Sequence, residues 1–357
     1  MPDSIEHFVH AIGTAVKNKR PLSIRGSGSK HFYGNQATKH TYDTLDVTTH
    51  SGIVNYEPSE LVVTARAGTR LADLEAILLE HHQMLAFEPP HFGKNATLGG
   101  CIATGLSGPR RPYAGAARDF VLGARILDGR GDDLHFGGQV MKNVAGYDVS
   151  RLMAGAMGTL GVLLEVSLKV LPIPPMEITL GMSMKEAEAI DKMHQWASKP
   201  LPISATCFYD GNLFVRVSGA ESAVQATRTR LGGEEINQGK LFWQSIREHT
   251  HTFFSSGTRL WRLSIKSSTL PLLLPGQQLI EWGGALRWLA ADKDLNEKII
   301  RLQAEAAGGH ATLFYGEKSS LQAFHPLSPH MMTLHQRLKQ KFDPAKIFNP
   351  GRMYPEY

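Results

Sequence analysis

Glycine-rich segments in the first half of the chain carry the residues best suited to hold a ligand. The segment RGSGSK spans 25–30 and follows the strand-like run PLSIR. Glycine permits positive φ and close approach of the backbone, so successive turn N–H groups can form a concave site for an anion. Ser27, Ser29 and Lys30 would add hydroxyl and ammonium donors. The segment suits a pyrophosphate, and a tight turn after a strand explains it equally well when it is taken alone.

The same segment does not fit the common nucleotide-binding motifs. His31 occupies the position of the third glycine of a dinucleotide fingerprint, and no helix-opening pattern follows. Lys30 also comes too soon after the glycines for a P-loop. A nicotinamide dehydrogenase and an ordinary ATPase therefore lose support.

A second glycine-rich segment, PPHFGKNATLGGCIATGLSGPRR, spans 89–111 and also contains apolar residues. Such a segment should be packed inside the protein, where its backbone N–H and C=O groups need partners. A large polar ligand with an apolar ring system would supply them. Arg110 and Arg111 end the segment and are candidates for a bidentate contact with a substrate carboxylate. We favour the simpler interpretation of these arginines, a solvated basic turn.

A third segment spans 142–170 and places Gly155, Gly158 and Gly161 directly before an apolar, strand-like run. Taken alone, it would be a turn into a core strand. Three such segments that alternate with short predicted strands indicate a shared ligand site.

Short predicted strands surround these segments. They are rich in β-branched residues and comprise 21–25, 60–68, 120–129 and 161–171. Helical spacing predicts a helix over 69–82. It also predicts an N-terminal amphipathic helix whose apolar face contains Ile5, Phe8, Val9, Ile12 and Val16. The proline cluster at 171–175 predicts a domain boundary.

Residues 176–335 have a different pattern. Predicted strands alternate with predicted helices, the strands over 205–210, 212–219 and 259–266 and the helices near 184–197, 220–231 and 293–307. This order predicts a small α+β sandwich with helices on one face of a sheet. A final helix then leads into a tail rich in proline and glycine.

Composition argues against several classes of protein. The net charge of +5 is spread without a basic run, so nucleic-acid binding is not supported. Cys101 and Cys207 are too few for an iron–sulfur cluster, although one disulfide between them is allowed. No histidine pair has metalloprotease spacing, so we predict no metal.

The chain shows no signal-peptide pattern and no apolar run long enough to span a bilayer, which predicts a soluble, cytoplasmic protein without direct membrane insertion. Trp261, Trp282 and Trp288 are expected in the core or at a subunit interface.

The order of these motifs is similar to that of a known family. RGSGS, ATLGGCIATGLSG and then KNVAGYD…GAMGTLGVLLE resemble the FAD domains of the vanillyl-alcohol-oxidase/PCMH class, and FDPAKIFNPGRM (342–353) resembles its closing segment. Phrases such as GIVNYEPSELVVTARAGT, GPRRPYAG and EWGGALRWL more particularly resemble FAD-binding subunits of glycolate oxidases. The implied fold is α+β: a PCMH-type FAD-binding domain of two α+β subdomains (1–173), an α+β cap domain (174–335), and a C-terminal helix and tail (336–357) that pack on the FAD domain.

The resemblance also implies which residues hold the cofactor. The pyrophosphate loop would consist of Arg25, Gly26, Ser27, Gly28 and Ser29. The second flavin segment would contribute Thr97, Leu98, Gly99, Gly100, Thr104, Ser107 and Gly108. The adenine side would be flanked by Gly158, Gly161 and Val162. The closing segment would add Asn349 and, near the isoalloxazine edge, Arg352.

Two departures from the family pattern bear on function. Ser29 stands where some relatives carry the histidine that attaches FAD covalently, so we expect noncovalent FAD. The His-x-Gly-Asp-Gly-Asn-x-His signature of relatives that oxidise 2-hydroxy acids is absent, and AGGHATLFYG (307–316) supplies only His310. The resemblance therefore implies a subunit that relays electrons between a second flavin subunit and an iron–sulfur subunit, with any membrane contact made through the complex. The alternatives are that the chain itself oxidises glycolate or D-lactate, or that it is a non-redox assembly subunit with a retained FAD fold.

Overall fold

The computed structural model describes residues 4–35, 42–138, 148–316 and 322–357. The start of the third glycine-rich segment, 142–147, lies outside the described residues. The helices are α1 (Ser4–Asn18), α2 (Leu71–Glu80), α3 (Leu98–Thr104), α4 (Arg111–Ala114), α5 (Ala117–Phe120), α6 (Val149–Leu152), α7 (Glu186–Ala197), α8 (Glu221–Leu231), α9 (Gly239–Arg247), α10 (Glu297–Ala306) and α11 (Pro329–Phe342). Short 3-10 turns occupy Pro58–Glu60, Thr252–Ser255 and Trp282–Gly284.

The strands fall into two larger sheets and two strand pairs. They are β1 (Leu22–Arg25), β2 (Asp43–Asp46), β3 (Ile53–Glu57), β4 (Val62–Arg66), β5 (Gln83–Met84), β6 (Val121–Leu127), β7 (Asp133–Gly137), β8 (Val162–Lys169), β9 (Leu171–Pro172), β10 (Met176–Ser183), β11 (Ile203–Tyr209), β12 (Asn212–Gly219), β13 (Glu234–Glu235), β14 (Arg259–Ser264), β15 (Gln277–Glu281), β16 (Leu286–Ala291) and β17 (His310–Tyr315).

The N-terminal layer consists of α1 packed on the parallel pair β1–β2. The helix buries Phe8 and Ile12 as predicted, but Val9 and Val16 are 39% and 38% exposed. The apolar face is therefore narrower than predicted. It follows the line through Phe8, Ile12 and Ala15, and the two valines lie beside that line.

A five-stranded antiparallel sheet, in the order β3-β4-β8-β6-β7, forms the second layer. Its central strand β8 is buried on both faces, which explains the nearly continuous apolar sequence of that strand. One face packs against α2 and α3, and Leu163 and Val166 of β8 lie in that core. The beginning of β8 contributes Val162 and Leu164 to the core under α1.

An eight-stranded antiparallel sheet, in the order β13-β10-β12-β11-β15-β16-β14-β17, contains the strands that follow Met176. Helices α7, α8 and α10 cover one face. The sequence predicts helices on one face only, but α9 lies on the opposite face. Side chains from the first half of the chain, including Tyr33, Leu106 and Met157, cover the rest of that face.

The C-terminal tail returns to the N-terminal layer. The backbone N–H of Leu22 donates to Ile347 O at 2.7 Å, and that of Asn349 donates to Leu22 O at 3.0 Å. Phe348 is thus bridged to β1 and buried in the core beneath α1. The boundary at 173/174 stays a prediction, and the strands on its two sides, β9 and β10, belong to different sheets.

Cys101 and Cys207 are both buried and free, so the allowed disulfide is not formed. Trp261, Trp282 and Trp288 are buried, as predicted. Among the described helices, none has the length and hydrophobicity needed to cross a bilayer.

Candidate cofactor site

A cleft between β1, α3 and the C-terminal tail collects most of the residues predicted to bind the cofactor. Its volume is about 120 Å³. The predicted residues that line it are Arg25, Gly26, Ser27, Gly28, Ser29, Thr97, Gly100, Thr104, Asn349 and Arg352. Ser23, Ile24, Lys30, His31, Tyr42, Ala103, Met157 and Pro350 complete the lining. Three segments that are distant in sequence therefore form one wall.

The loop after β1 is held against α3 by close backbone approach. A Cβ added to Gly26 would overlap Thr97 Oγ1. Thr97 is the N-cap of α3, and its side chain accepts a hydrogen bond from Gly100 N at 3.2 Å. Any larger residue at position 26 would push the loop and the helix start apart.

Asn349 joins the tail to β1 and to the turn before β8. Its Oδ1 accepts from Ile24 N at 2.9 Å, and its Nδ2 donates to Met157 O at 2.8 Å. Gly158 has φ +68°, and a Cβ there would lie 2.6 Å from Asn349 Nδ2. The glycine before β8 is therefore needed for the tail to close the cleft.

The described lining of this cleft contains basic side chains and no Asp or Glu. Burial, followed by the nearby charge of Arg25, lowers the pKa of Arg352 to about 10. Burial also lowers the pKa of Lys30, whose Nζ donates to His91 O at 3.1 Å. Positive groups that carry this cost would be stabilised by a bound anion. The cleft therefore fits a pyrophosphate, as the motif suggested.

A smaller cleft of about 60 Å³ adjoins the first one, and Gly26, Gly100 and Asn349 line both. The predicted residues Gly99, Gly158 and Gly161 line it, together with Ile24, Val47, Ala67 and Leu163. Apolar side chains and bare backbone suit a flat aromatic ring. Leu98 and Val162 line neither cleft, because their side chains are packed in the cores beside α2 and under α1.

Ser107 and Gly108 lie elsewhere, at a cavity of about 20 Å³ beneath the eight-stranded sheet. Arg262, Glu281 and Trp288 line the same cavity from the sheet side. The sheet and the second glycine-rich segment are joined here, since Trp282 Nε1 donates to Gly108 O at 3.1 Å.

Arg110 and Arg111 are not a solvated basic turn. Arg110 is 7% exposed and forms salt bridges with Glu88 at 3.3 Å and Glu177 at 2.8 Å. The Arg111 guanidinium lies 4.4 Å from the centre of the Trp282 ring, a cation–π contact. Arg110 therefore pairs with carboxylates of the protein itself, and a contact with a substrate carboxylate stays a prediction.

Other charged residues near the site were not singled out from the sequence alone. Arg216 forms salt bridges with Glu88 and Glu177 beside Arg110, and Arg262 and Glu281 line the cavity. Arg216 and Arg262 each interrupt an apolar predicted strand, and this was the available signal. Glu88 and Glu281 carried no such signal.

Comparison with known proteins gives the family. Residues 1–137 match the FAD binding domain family. Glycolate oxidase subunit GlcE of Escherichia coli (strain K12) is 50% identical over 354 residues, which cover 99% of this chain and 98% of that protein. The chain belongs to the GlcE family. Glycolate oxidase subunit GlcD of Bacillus subtilis (strain 168) is a partial relative, 29% identical over 50% of this chain and 39% of its own length.

Solved structures confirm the fold. Alkyldihydroxyacetonephosphate synthase superposes with a TM-score of 0.68 at 14% identity, over 96% of this chain and 73% of the synthase. The GlcE family membership and the FAD binding domain confirm FAD as the predicted cofactor and a flavin-dependent oxidoreductase as the predicted class. The basic lining of the cleft fits the pyrophosphate of this cofactor.

Proposed function

We propose that the chain is the FAD-binding subunit through which a multi-subunit glycolate oxidase relays electrons from a second flavin subunit to an iron–sulfur subunit. FAD, when bound, supplies the two-electron chemistry of glycolate oxidation to glyoxylate. A cytoplasmic location, with membrane contact made only through partners, belongs to the same proposal.

The small size of the cavity beneath the eight-stranded sheet is the observation that supports a relay role. At about 20 Å³ it accommodates one water molecule. Glycolate is several times larger than water. A substrate there would have to displace Arg262, Glu281 or Trp288, each of which lines the cavity.

An aromatic wall closes the same region. Phe92 lies edge-to-face against Phe32 with ring centres 5.3 Å apart, and against Phe314 at 6.2 Å. Phe314 in turn meets Trp288 at 5.0 Å. Rings packed in this way reduce the space that is open to a substrate beside the cavity.

The chain's own contribution to the relay is binding and electrostatics. Arg25, Lys30 and Arg352 would hold the pyrophosphate of FAD in the basic cleft, and Asn349 would keep the tail closed over it. These contacts orient the cofactor and require no substrate group.

An anaerobic visible spectrum of the purified chain, recorded before and after glycolate is added, tests the proposal. We expect flavin absorbance that is unchanged by glycolate and bleaches only after the partner subunits are added. Bleaching by glycolate with the chain alone would overturn the relay role in favour of a self-contained 2-hydroxy-acid dehydrogenase. A chain that takes up no FAD would leave the assembly-subunit alternative.

A further inference from the structure

A buried carboxyl group faces the flavin segment from the eight-stranded sheet. Glu281 ends β15 and is 3% exposed. Its Oε2 accepts a hydrogen bond from Trp288 Nε1 at 2.7 Å. It shares the small cavity with Ser107 and Gly108, which are predicted to bind FAD but lie outside the basic cleft. Phe92 also lines the cavity, and its ring centre lies 5.8 Å from Nζ of Lys30 in that cleft. The proposed relay role does not use this carboxyl group.

Glu281 lacks an ion-pair partner among the described salt bridges, although charged groups surround it. Arg262 on β14 lines the same cavity, and the charge of Arg216 on β12 also acts on Glu281. The carboxylate of Glu88 opposes a second negative charge at Glu281. Cys207 is opposite Glu281 in the β11–β15 register, and its buried thiol has a pKa well above the ordinary value. The ring of His249, also at the cavity, has its pKa lowered to about 3 by burial and then by Arg262, so it is neutral.

Together these influences place the pKa of Glu281 near neutral pH. Burial raises its pKa to about 7, while the Trp288 hydrogen bond and the charges of Arg262 and Arg216 oppose the rise. A carboxyl group balanced in this way changes its protonation when a charge is added nearby.

We propose that Glu281 is a proton-binding site coupled to the charge of the cofactor: it binds a proton from solvent when electrons enter the flavin site and releases that proton when they leave. The inference rests on the proposed function, because the flavin site is assigned by it. The carboxylate becomes a carboxylic acid, one proton is consumed from water, and no bond to the cofactor forms. The electrons come from glycolate through the assembled enzyme. The proton compensates added negative charge in a dry site, where solvent cannot do so.

Infrared difference spectra of the FAD-loaded chain, reduced by dithionite at pH 7.5, measure this event. The wild-type chain should gain a protonated-carboxyl C=O band on reduction, and Glu281→Gln should lack it. Glu186→Gln is the matched control. Glu186 is a half-buried glutamate at the start of α7, on the other face of the sheet from the cavity, and it pairs with Arg287 of β16. That control should keep the band. A band that survives in Glu281→Gln, or is absent from the wild type, would overturn the inference.

The chain without FAD provides a second readout. Because the folded pKa of Glu281 lies above its unfolded value, the folded state binds the extra proton between about pH 4.5 and 7. Stability should therefore fall as pH rises through this window, and Glu281→Gln should flatten that fall. If Glu281→Gln does not fold, Trp288→Phe removes the hydrogen bond that favours the carboxylate, and the window should move to higher pH. An unchanged stability profile in the variant that folds would contradict the assignment.

These readouts separate the two ideas. A chain that binds no FAD but shows the Glu281-dependent stability profile would refute the proposed function and leave the buried proton site. A chain that binds FAD and relays electrons without the carboxyl band would refute only the proton coupling.

Discussion

Lys339 Nζ lies 2.8 Å from Asp343 Oδ2, and neither side chain has any exposed surface. The same ammonium group donates to Thr159 O at 2.8 Å and to Phe348 O at 2.7 Å. Asp343 accepts from Ile347 N and Phe348 N. One buried ion pair at the end of α11 therefore joins the tail that closes the cleft to the turn before β8.

Replacement of Lys339 by Met should destabilise the protein strongly, because Asp343 would be left as a buried charge without its partner. We expect a loss of about 3–5 kcal/mol in the free energy of unfolding, measured by urea denaturation. Lys341→Met, an exposed position on the same helix, is the control and should change little. The double variant Lys339→Met/Asp343→Asn should lose less than the single one. Equal losses in the single and double variants would show that the charge is not the cause.

Replacement of Glu88 by Gln should make the free energy of unfolding less dependent on pH in the acidic range. Burial alone would raise the pKa of Glu88, but Arg216 and Arg110 outweigh it and hold the pKa below the ordinary value of 4.5. A depressed folded pKa gives stability that is present above the unfolded pKa and is lost as pH falls through the folded one. We expect Glu88→Gln to lose about 3 kcal/mol at pH 7 and to approach the wild type in acid. The exposed Glu221→Gln is the control. A difference in stability between Glu88→Gln and the wild type that persists in acid would refute this account.

Replacement of Gly26 by Ala should weaken FAD binding, since the new methyl group would overlap Thr97 Oγ1 and separate the loop from α3. FAD retained after gel filtration is the measurement. Gly13→Ala is the matched control, because nothing lies within 4 Å of a Cβ at that helical position. The control should be more stable by up to about 1 kcal/mol, since alanine favours the helix. Removal of the hydroxyl in Gly26→Ala/Thr97→Ala should restore part of the binding, and no recovery would argue against the steric cause.

Replacement of Arg25 by Met should raise the Kd for FAD about 10- to 100-fold, the effect of one hydrogen bond to a charged group. Titration of the apoprotein with FAD at several salt concentrations measures it. The wild-type affinity should fall as salt increases, and the variant should respond less because one positive charge is gone. Arg118→Met, at an exposed position, should retain wild-type binding. An Arg25→Met variant with unchanged affinity would place the pyrophosphate elsewhere.

The sequence by itself determined much of the local structure of this protein. Strands such as β4, β6 and β8 follow from apolar, β-branched runs, and α2 follows from its helical spacing, because period and propensity act between near neighbours. The glycines and serines of 25–29 also predict an anion-binding turn without the fold, because a turn that needs positive φ and free N–H groups is encoded in adjacent residues.

Only the tertiary structure decided which charges pair and which residues meet across the chain. Arg110 seemed to end an exposed turn, yet Glu177 and Ser218 come from strands of the other sheet to bind it. Nothing in the sequence around Glu281 indicates a special role, and only the fold places it against Trp288 and at one cavity with Ser107 and Gly108. Burial and ion pairing depend on groups distant in sequence, and their energies change with the dielectric surroundings that only the packed fold creates.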